Sequence, residues 1–348
     1  MNLLVLGVGG NVSQGILKAL ARSRLPHRVV GACVRASSLG LYTVDRACLS
    51  PYADDPAFEG WLFDTCRRER IDGVLSGVEA VLDRLAVCAA RLRQETGAVA
   101  IVSPPDRLAI GGDKLLTCQW LESNGLHFPR YAAVEDEAAV AGLVSDVGLP
   151  LVAKPRHGRR SMGLIEVRDE TDLRYARTRP GYVLQEHLGN SQTEYTVGCV
   201  GDRDGRVRGV IVLHREILGG STHQAEAGEF PAVRAEALRI ATALRPLGPC
   251  NIQMRESAGR PVCFEINVRF SGTTPARVQL GFDEVEAVVR HFVLGEEMPE
   301  LPVVTGGMML RYLNEMYVDP SACRALEETG VAGDLGRAAR LEDFGFRR

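Results

Sequence analysis

Glu265, Asn267 and Arg269 recur at every second position of the run Cys263-Phe264-Glu265-Ile266-Asn267-Val268-Arg269. In a strand, that spacing sends the three polar side chains to one face and Phe264, Ile266 and Val268 to the other, toward a core. Gln253, in Asn251-Ile252-Gln253-Met254-Arg255, belongs to the neighbouring strand of the same expected hairpin. One carboxylate and two amide oxygens, completed by phosphate oxygens, form a hard donor set that suits Mg²⁺. A guanidinium two positions further on is placed to reach a phosphate. The polar outer face of an amphipathic hairpin would show the same alternation.

Lys154 closes the apolar run Leu151-Val152-Ala153, where an ammonium needs an anion to offset its desolvation. The basic segment His157-Gly158-Arg159-Arg160-Ser161-Met162-Gly163 follows, bracketed by glycines. It suits closure over phosphates through backbone donors and cations; an ordinary solvated hairpin is the plainer account. Val183-Leu184-Gln185-Glu186 is strand-like and offers backbone N–H and C=O groups to the edge of a planar heterocycle, with Glu194 available to ribose hydroxyls. His187 reads as a packed or solvated side chain. Arg215, before the loop Gly219-Gly220-Ser221-Thr222-His223, is the candidate for a substrate carboxylate or acyl phosphate, with a surface salt bridge competing. Ser271-Gly272-Thr273-Thr274 opens a helix whose N–H groups suit an anion, although capping by Thr273 accounts for it as well.

These residues need rigid elements on either side. Leu3 to Val8, His27 to Val34, Gly73 to Ser76 and Ala98 to Val102 read as buried strands alternating with helices over Val12 to Ala21 and Val78 to Arg93. That rhythm predicts a Rossmann-like parallel sheet over residues 1–105, closed by Ser103-Pro104-Pro105. The turn Gly7-Val8-Gly9-Gly10 lies between strand and helix, where glycines serve a tight turn or an anion contact. The spacing to Gly15 is too long for Gly-x-Gly-x-x-Gly, and no acidic residue ends the second strand, so a nicotinamide cofactor fits poorly. Helices over Lys114 to Asn124 and Glu135 to Val147 precede strands at Leu151 to Pro155, Leu164 to Val167, Tyr182 to Glu186, Tyr195 to Val200 and Arg208 to Arg215. A helix over Val233 to Leu244 and strands Cys250 to Arg255 and Pro261 to Val268 complete an α+β unit, residues 106–300. Residues 301–348 are expected to give one strand, Gly306 to Leu313, and a polar tail packed on that unit.

The chain of 348 residues is 45% hydrophobic and 24% charged, the balance of a globular protein with room for two or three domains. A net charge of −3 argues against a broad nucleic-acid footprint, so anions must be met by local Lys and Arg. Nine cysteines without a Cys-x-x-Cys pair read as reduced thiols rather than a disulfide frame or zinc site. With no signal-peptide pattern and no apolar run long enough to span a bilayer, a cytoplasmic protein away from membranes is expected.

The ordered set Asp113-Lys114, Ala153-Lys154-Pro155, Gln185-Glu186, Asn251-Ile252-Gln253 and Glu265-Ile266-Asn267-Val268-Arg269 resembles the ATP-grasp superfamily. It is most similar to a synthetase half of the carbamoyl-phosphate synthetase large chain and to the methylornithine–lysine ligase of pyrrolysine biosynthesis. The resemblance implies a Rossmann-like domain followed by an ATP-grasp fold. It implies that Lys114 and Lys154 bind ATP phosphates, that Gln185, Glu186 and Leu188 line the adenine pocket, and that Glu194 holds the ribose. Ser161, Met162 and Gly163 would belong to a lid over residues 158–163, richer in arginine and poorer in glycine than the family's. Glu265 would bridge two Mg²⁺ ions (Mn²⁺ as an alternative), with Gln253 and Asn267 as further ligands and Arg269 and Lys154 stabilising the transferred phosphoryl group. The implied reaction joins a small carboxylate to an amine through an acyl phosphate. The single copy, without an amidotransferase partner, weighs against carbamoyl phosphate synthesis itself. A Mg-ATP phosphotransferase, a non-catalytic nucleotide-binding regulator and an oxidoreductase remain as competitors, and a homodimer stays open.

Overall fold

In this computed structural model, residues 1–158, 162–189 and 191–342 are described. The first unit runs β1 (Asn2–Leu6), α1 (Asn11–Leu20), β2 (Arg28–Cys33), β3 (Arg46–Leu49), α2 (Phe58–Glu69), β4 (Gly73–Ser76), α3 (Glu79–Thr96) and β5 (Val99–Ala100). The five strands are parallel in the order β3-β2-β1-β4-β5. Leu3, Leu4, Val5 and Leu6 are all buried because helices cover both faces of the sheet. Leu3 and Val5 join the core that contains Ile16 and Leu20 of α1, and Leu4 and Leu6 join the one that contains Leu62 of α2 and Leu85 of α3.

The second unit is built from two antiparallel sheets. α4 (Pro105–Gly112), α5 (Lys114–Ser123), β6 (Tyr131–Ala133), α6 (Glu137–Val147), β7 (Leu151–Pro155), β8 (Ile165–Val167), α7 (Glu170–Arg177) and β9 (Tyr182–Glu186) form the smaller part, with strand order β6-β9-β7-β8. β10 (Glu194–Gly201), β11 (Val207–Leu218), β12 (Ser221–Ala227), α8 (Pro231–Leu244), β13 (Gly248–Ser257) and β14 (Arg260–Asn267) form the larger part. α9 (Thr274–Gln279) and α10 (Glu284–Val288) turn back to pack on α1. β15 (Met308–Leu310) then closes the large sheet, in the order β14-β13-β10-β11-β12-β15.

Two expectations are corrected here. The stretch from 301 is not simply a tail on the second unit. After β16 (Met316–Val318) and α11 (Pro320–Thr329), β17 (Val331–Ala332) pairs antiparallel with β3 of the first sheet, before β18 (Ala339–Leu341) pairs with β16. The reason is that β3 offers an open edge, and Leu326 is a fully buried apolar anchor in the core below it. Phe264, expected in the core, instead faces a cavity. The β13–β14 register pairs Gln253 with Glu265 but Met254 with Cys263, so Phe264 is the extra residue of a β-bulge. The bulge hands the core position to Cys263, which is fully buried.

Candidate active site

The two antiparallel sheets enclose a cavity of about 300 Å³ that has Lys154, Gln185, Leu188, Phe264 and Glu265 among its walls. Lys154 reaches it from β7, and its Nζ donates to Gln185 Oε1 at 2.9 Å and stands 5.2 Å from the Phe264 ring centroid. Gln185 is buried, with Nε2 donating to Cys118 Sγ at 3.1 Å. Burial lowers the Lys154 ammonium to about 8, against the opposing pull of the Glu265 carboxylate. The sign of the consequence is definite. A phosphate anion favours the protonated amine, which predominates below that value and is lost above it. If ATP phosphates meet Lys154 here, as the sequence resemblance implies, ATP affinity should stay flat up to about pH 8 and then fall by up to about tenfold per pH unit. Titrating ATP binding from neutral to alkaline pH checks this, and Lys154→Met should bind weakly with no such break.

Lys114 begins α5, whose start is fixed by Asp113. The Asp113 carboxylate caps the Leu115 N–H at 2.9 Å and holds Arg156, which together keep it below the usual carboxylate range despite burial. Lys114 Nζ donates to the Gly158 carbonyl at 3.0 Å, so it already touches the stem of the basic loop. Met162 and Gly163 are on the far side of that loop, and Met162 is exposed at the cavity mouth. Ser161 lies outside the described residues. Glu186 accepts from the Arg130 N–H at 2.9 Å through its side chain and pairs with Leu151 through β7.

Glu194 is not the open acceptor that the sequence suggested. It is buried and accepts from Arg215 at 3.0 and 2.6 Å on Oε1 and from Arg255 at 2.9 and 2.7 Å on Oε2. Arg215, expected to meet substrate, is thus committed to Glu194 and also donates to Gln253 Oε1 at 2.6 Å. Nothing in the sequence pattern pointed to Arg255.

Gln253, Glu265 and Asn267 stand side by side on the β13–β14 hairpin. Gln253 Nε2 and Asn267 Nδ2 both donate to Glu265 Oε1, at 3.4 and 2.9 Å, while Glu265 Oε2 takes no hydrogen bond from the described residues. Arg215 and Arg269 hold the two amide oxygens, at 2.6 and 2.9 Å. Arg269 also grips Glu79, the first residue of α3, at 2.8 and 2.6 Å, and so ties the hairpin to the first unit. Glu265 Oε2 is a hard anionic donor that suits Mg²⁺, whereas the Gln253 and Asn267 oxygens face Arg215 and Arg269 and would ligate it only through their remaining lone pairs or after turning. Among the described residues there is no cluster of three or more His, Cys, Asp or Glu that would suit a softer metal.

A second cavity, about 850 Å³, lies between this hairpin and the glycine turn of the first unit. Gly7 has φ +69°, and a Cβ there would strike Val78 at 2.4 Å, so the turn requires this glycine; Gly7, Gly9 and Gly10 all line the cavity. Three guanidinium groups line this space. Arg215 and Arg269 are paired with carboxylates, whereas the half-buried Arg311 guanidinium donates, among the described residues, only to the Gly272 carbonyl, at 2.6 Å, and burial lowers its pKa. Sequence reading placed Arg311 within the expected strand Gly306 to Leu313 without a role; the strand ends at Leu310, one residue before it. A third cavity, about 530 Å³, opens between α3, α4 and Lys114. Glu265 is the one described residue that lines all three.

Residues 178–316 match a family profile described as ATP-grasp in the biosynthetic pathway with Ter operon. The large chain of carbamoyl phosphate synthase from Pseudomonas putida is 24% identical over 325 residues, 86% of this chain and 30% of that protein. The chain therefore spans under a third of the length of that curated relative. N5-carboxyaminoimidazole synthetase from Staphylococcus aureus, solved with ADP, superimposes with a TM-score of 0.72 at 15% identity, covering 90% of this chain and 82% of that one. An L-amino acid ligase from Bacillus licheniformis gives 0.64 at 20% identity, covering 84% and 74%. These structural likenesses establish the fold.

Proposed function

This chain carries an ATP-grasp domain and is homologous to carbamoyl phosphate synthase large chains, and on that premise we propose that it is an ATP-dependent carboxylate–amine ligase acting on small amino-acid-like substrates. The observation that carries the reading is the position of Glu265 at the junction of the three cavities. A nucleotide in the smaller one and a carboxylate in the larger one would meet at the carboxylate with a free oxygen. The likeness to an L-amino acid ligase favours amino-acid-like substrates.

Lys114 and Lys154 bind the phosphates, Gln185, Glu186 and Leu188 line the base pocket, and Met162 and Gly163 border it. Glu265, Gln253 and Asn267 would hold Mg²⁺, two ions in the fullest form of the reading, which would neutralise phosphate oxygens. The γ-phosphorus–oxygen bond to ADP breaks as a substrate carboxylate oxygen bonds to that phosphorus. An amine then attacks the acyl carbon, inorganic phosphate leaves, and the amine gives up a proton. Neither step needs a covalent enzyme group; both need charge neutralisation and alignment. Arg269 stands beside Asn267 for the transferring group. Arg311, rather than the committed Arg215, anchors the anionic end of the carboxylate substrate, and Arg215 orients Gln253.

Release of ADP and phosphate across amino acids, singly and in pairs, tests the reading. Dependence on both a carboxylate and an amine supports it; turnover with a carboxylate alone, giving a stable phosphorylated product, would indicate a phosphotransferase. With an active pair in hand, Arg311→Ala should raise the KM of the carboxylate substrate by about 10- to 100-fold, the loss of a charge-assisted hydrogen bond, and leave the KM of ATP near its original value.

A further inference from the structure

Glu194 has four acceptor directions available on its carboxylate, and four guanidinium N–H groups fill them. A ribose hydroxyl can donate to this carboxylate only if one arginine lets go. The two arginines differ in their ties. The Arg215 side chain is 8% exposed, also binds Gln253 at 2.6 Å and approaches Thr222 at 3.4 Å, and borders the substrate cavity. The Arg255 side chain is 26% exposed and borders the nucleotide cavity. Its remaining contacts are weaker: the Leu188 carbonyl at 3.2 Å and the Phe264 ring, 5.6 Å from centroid to guanidinium carbon. The same bulge that exposes Phe264 gives Arg255 an aromatic face on which to rest once it releases Glu194.

We propose that Arg255 is a specificity-determining residue of the nucleotide pocket, competing with the ribose hydroxyls for Oε2 of Glu194. This rests on the reading of the smaller cavity as the ATP site. Because displacing a bidentate guanidinium offsets the gain from the hydroxyls, the wild-type protein discriminates weakly between ATP and its 2′-deoxy and 3′-deoxy analogues. Removing the competitor restores the full value of those hydroxyls. Arg215 stays on Oε1 throughout and keeps Gln253 in place.

The experiment measures the dissociation constants of ATP, 2′-deoxy-ATP and 3′-deoxy-ATP for wild type, Arg255→Met, Arg255→Lys and Glu194→Gln, with thermal melting to establish that each variant is folded. In Arg255→Met, ATP should bind more tightly and the preference for ATP over at least one deoxy analogue should rise about tenfold. Arg255→Lys, which keeps a cation but loses the fork, should fall between. Glu194→Gln should show no such rise. An unchanged preference in folded Arg255→Met, or equal weakening of all three nucleotides, overturns this assignment and leaves the ATP site standing. Absence of binding by the wild type and every variant overturns the ATP site, and this assignment with it.

Discussion

Glu265→Ala should lose ATP turnover by at least about 10³-fold, the largest functional effect expected of any single substitution here. The carboxylate has an oxygen open to a cation, accepts from both flanking amides on the other, and borders every cavity of the site. Its removal deprives any metal of the set's one anionic ligand and leaves Gln253 and Asn267 without the acceptor that orients them. Nucleotide binding without metal should change little, because Lys114, Lys154 and Gln185 belong to other elements. Steady-state ADP release and metal-free ATP binding, measured on the same preparation, separate the two. A variant that loses both equally would mean that Glu265 holds the pocket's shape instead.

Glu284→Ala should destabilise the protein by about 3–5 kcal/mol. Glu284 and Arg277 are both fully buried, and Arg277 Nη1 lies 3.1 and 3.3 Å from the two carboxylate oxygens. Thr274 donates to the same carboxylate at 2.6 Å, and Arg277 also donates to Asn251 Oδ1, which accepts from Thr196 at 2.8 Å. Alanine at 284 would strand a guanidinium in the core. The double variant Arg277→Met with Glu284→Leu, which removes both charges, should recover much of the loss. Urea unfolding of wild type, single and double variants checks the difference. The backbone is fitted to the arginine as well: a Cβ at Gly198 would sit 2.6 Å from its Cζ.

The polar face of the β13–β14 hairpin and Lys154 were legible because alternation along a strand is a strong local signal and because a lysine after an apolar run demands an explanation. β7, β4 and β9 fell on their expected residues for the same reason. What escaped depended on non-local partners. β3 and α2, at Arg46–Leu49 and Phe58–Glu69, show little periodicity, and their burial comes from neighbours far along the chain. The displacement of Phe264 needed one inserted residue relative to β13, which no pattern in β14 alone discloses. Glu194 looked like an open acceptor because the sequence does not show that Arg215 and Arg255, on two different strands, converge on it. Arg311 borders the larger cavity only because β15 pairs with β12.

The pairing of Val331–Ala332 with β3 has a consequence for synthesis. The first sheet begins with β1 to β5, yet its β3 edge remains unpaired until Val331 and Ala332 have emerged. Formally, the second unit is an insertion within the first, with β17 returning to complete the sheet that β1 to β5 began. During translation that bare strand edge is exposed to pairing with other chains. β17 thus acts as a cap that a nascent chain must wait for, and truncation before Val331 would leave the edge open in the finished protein as well.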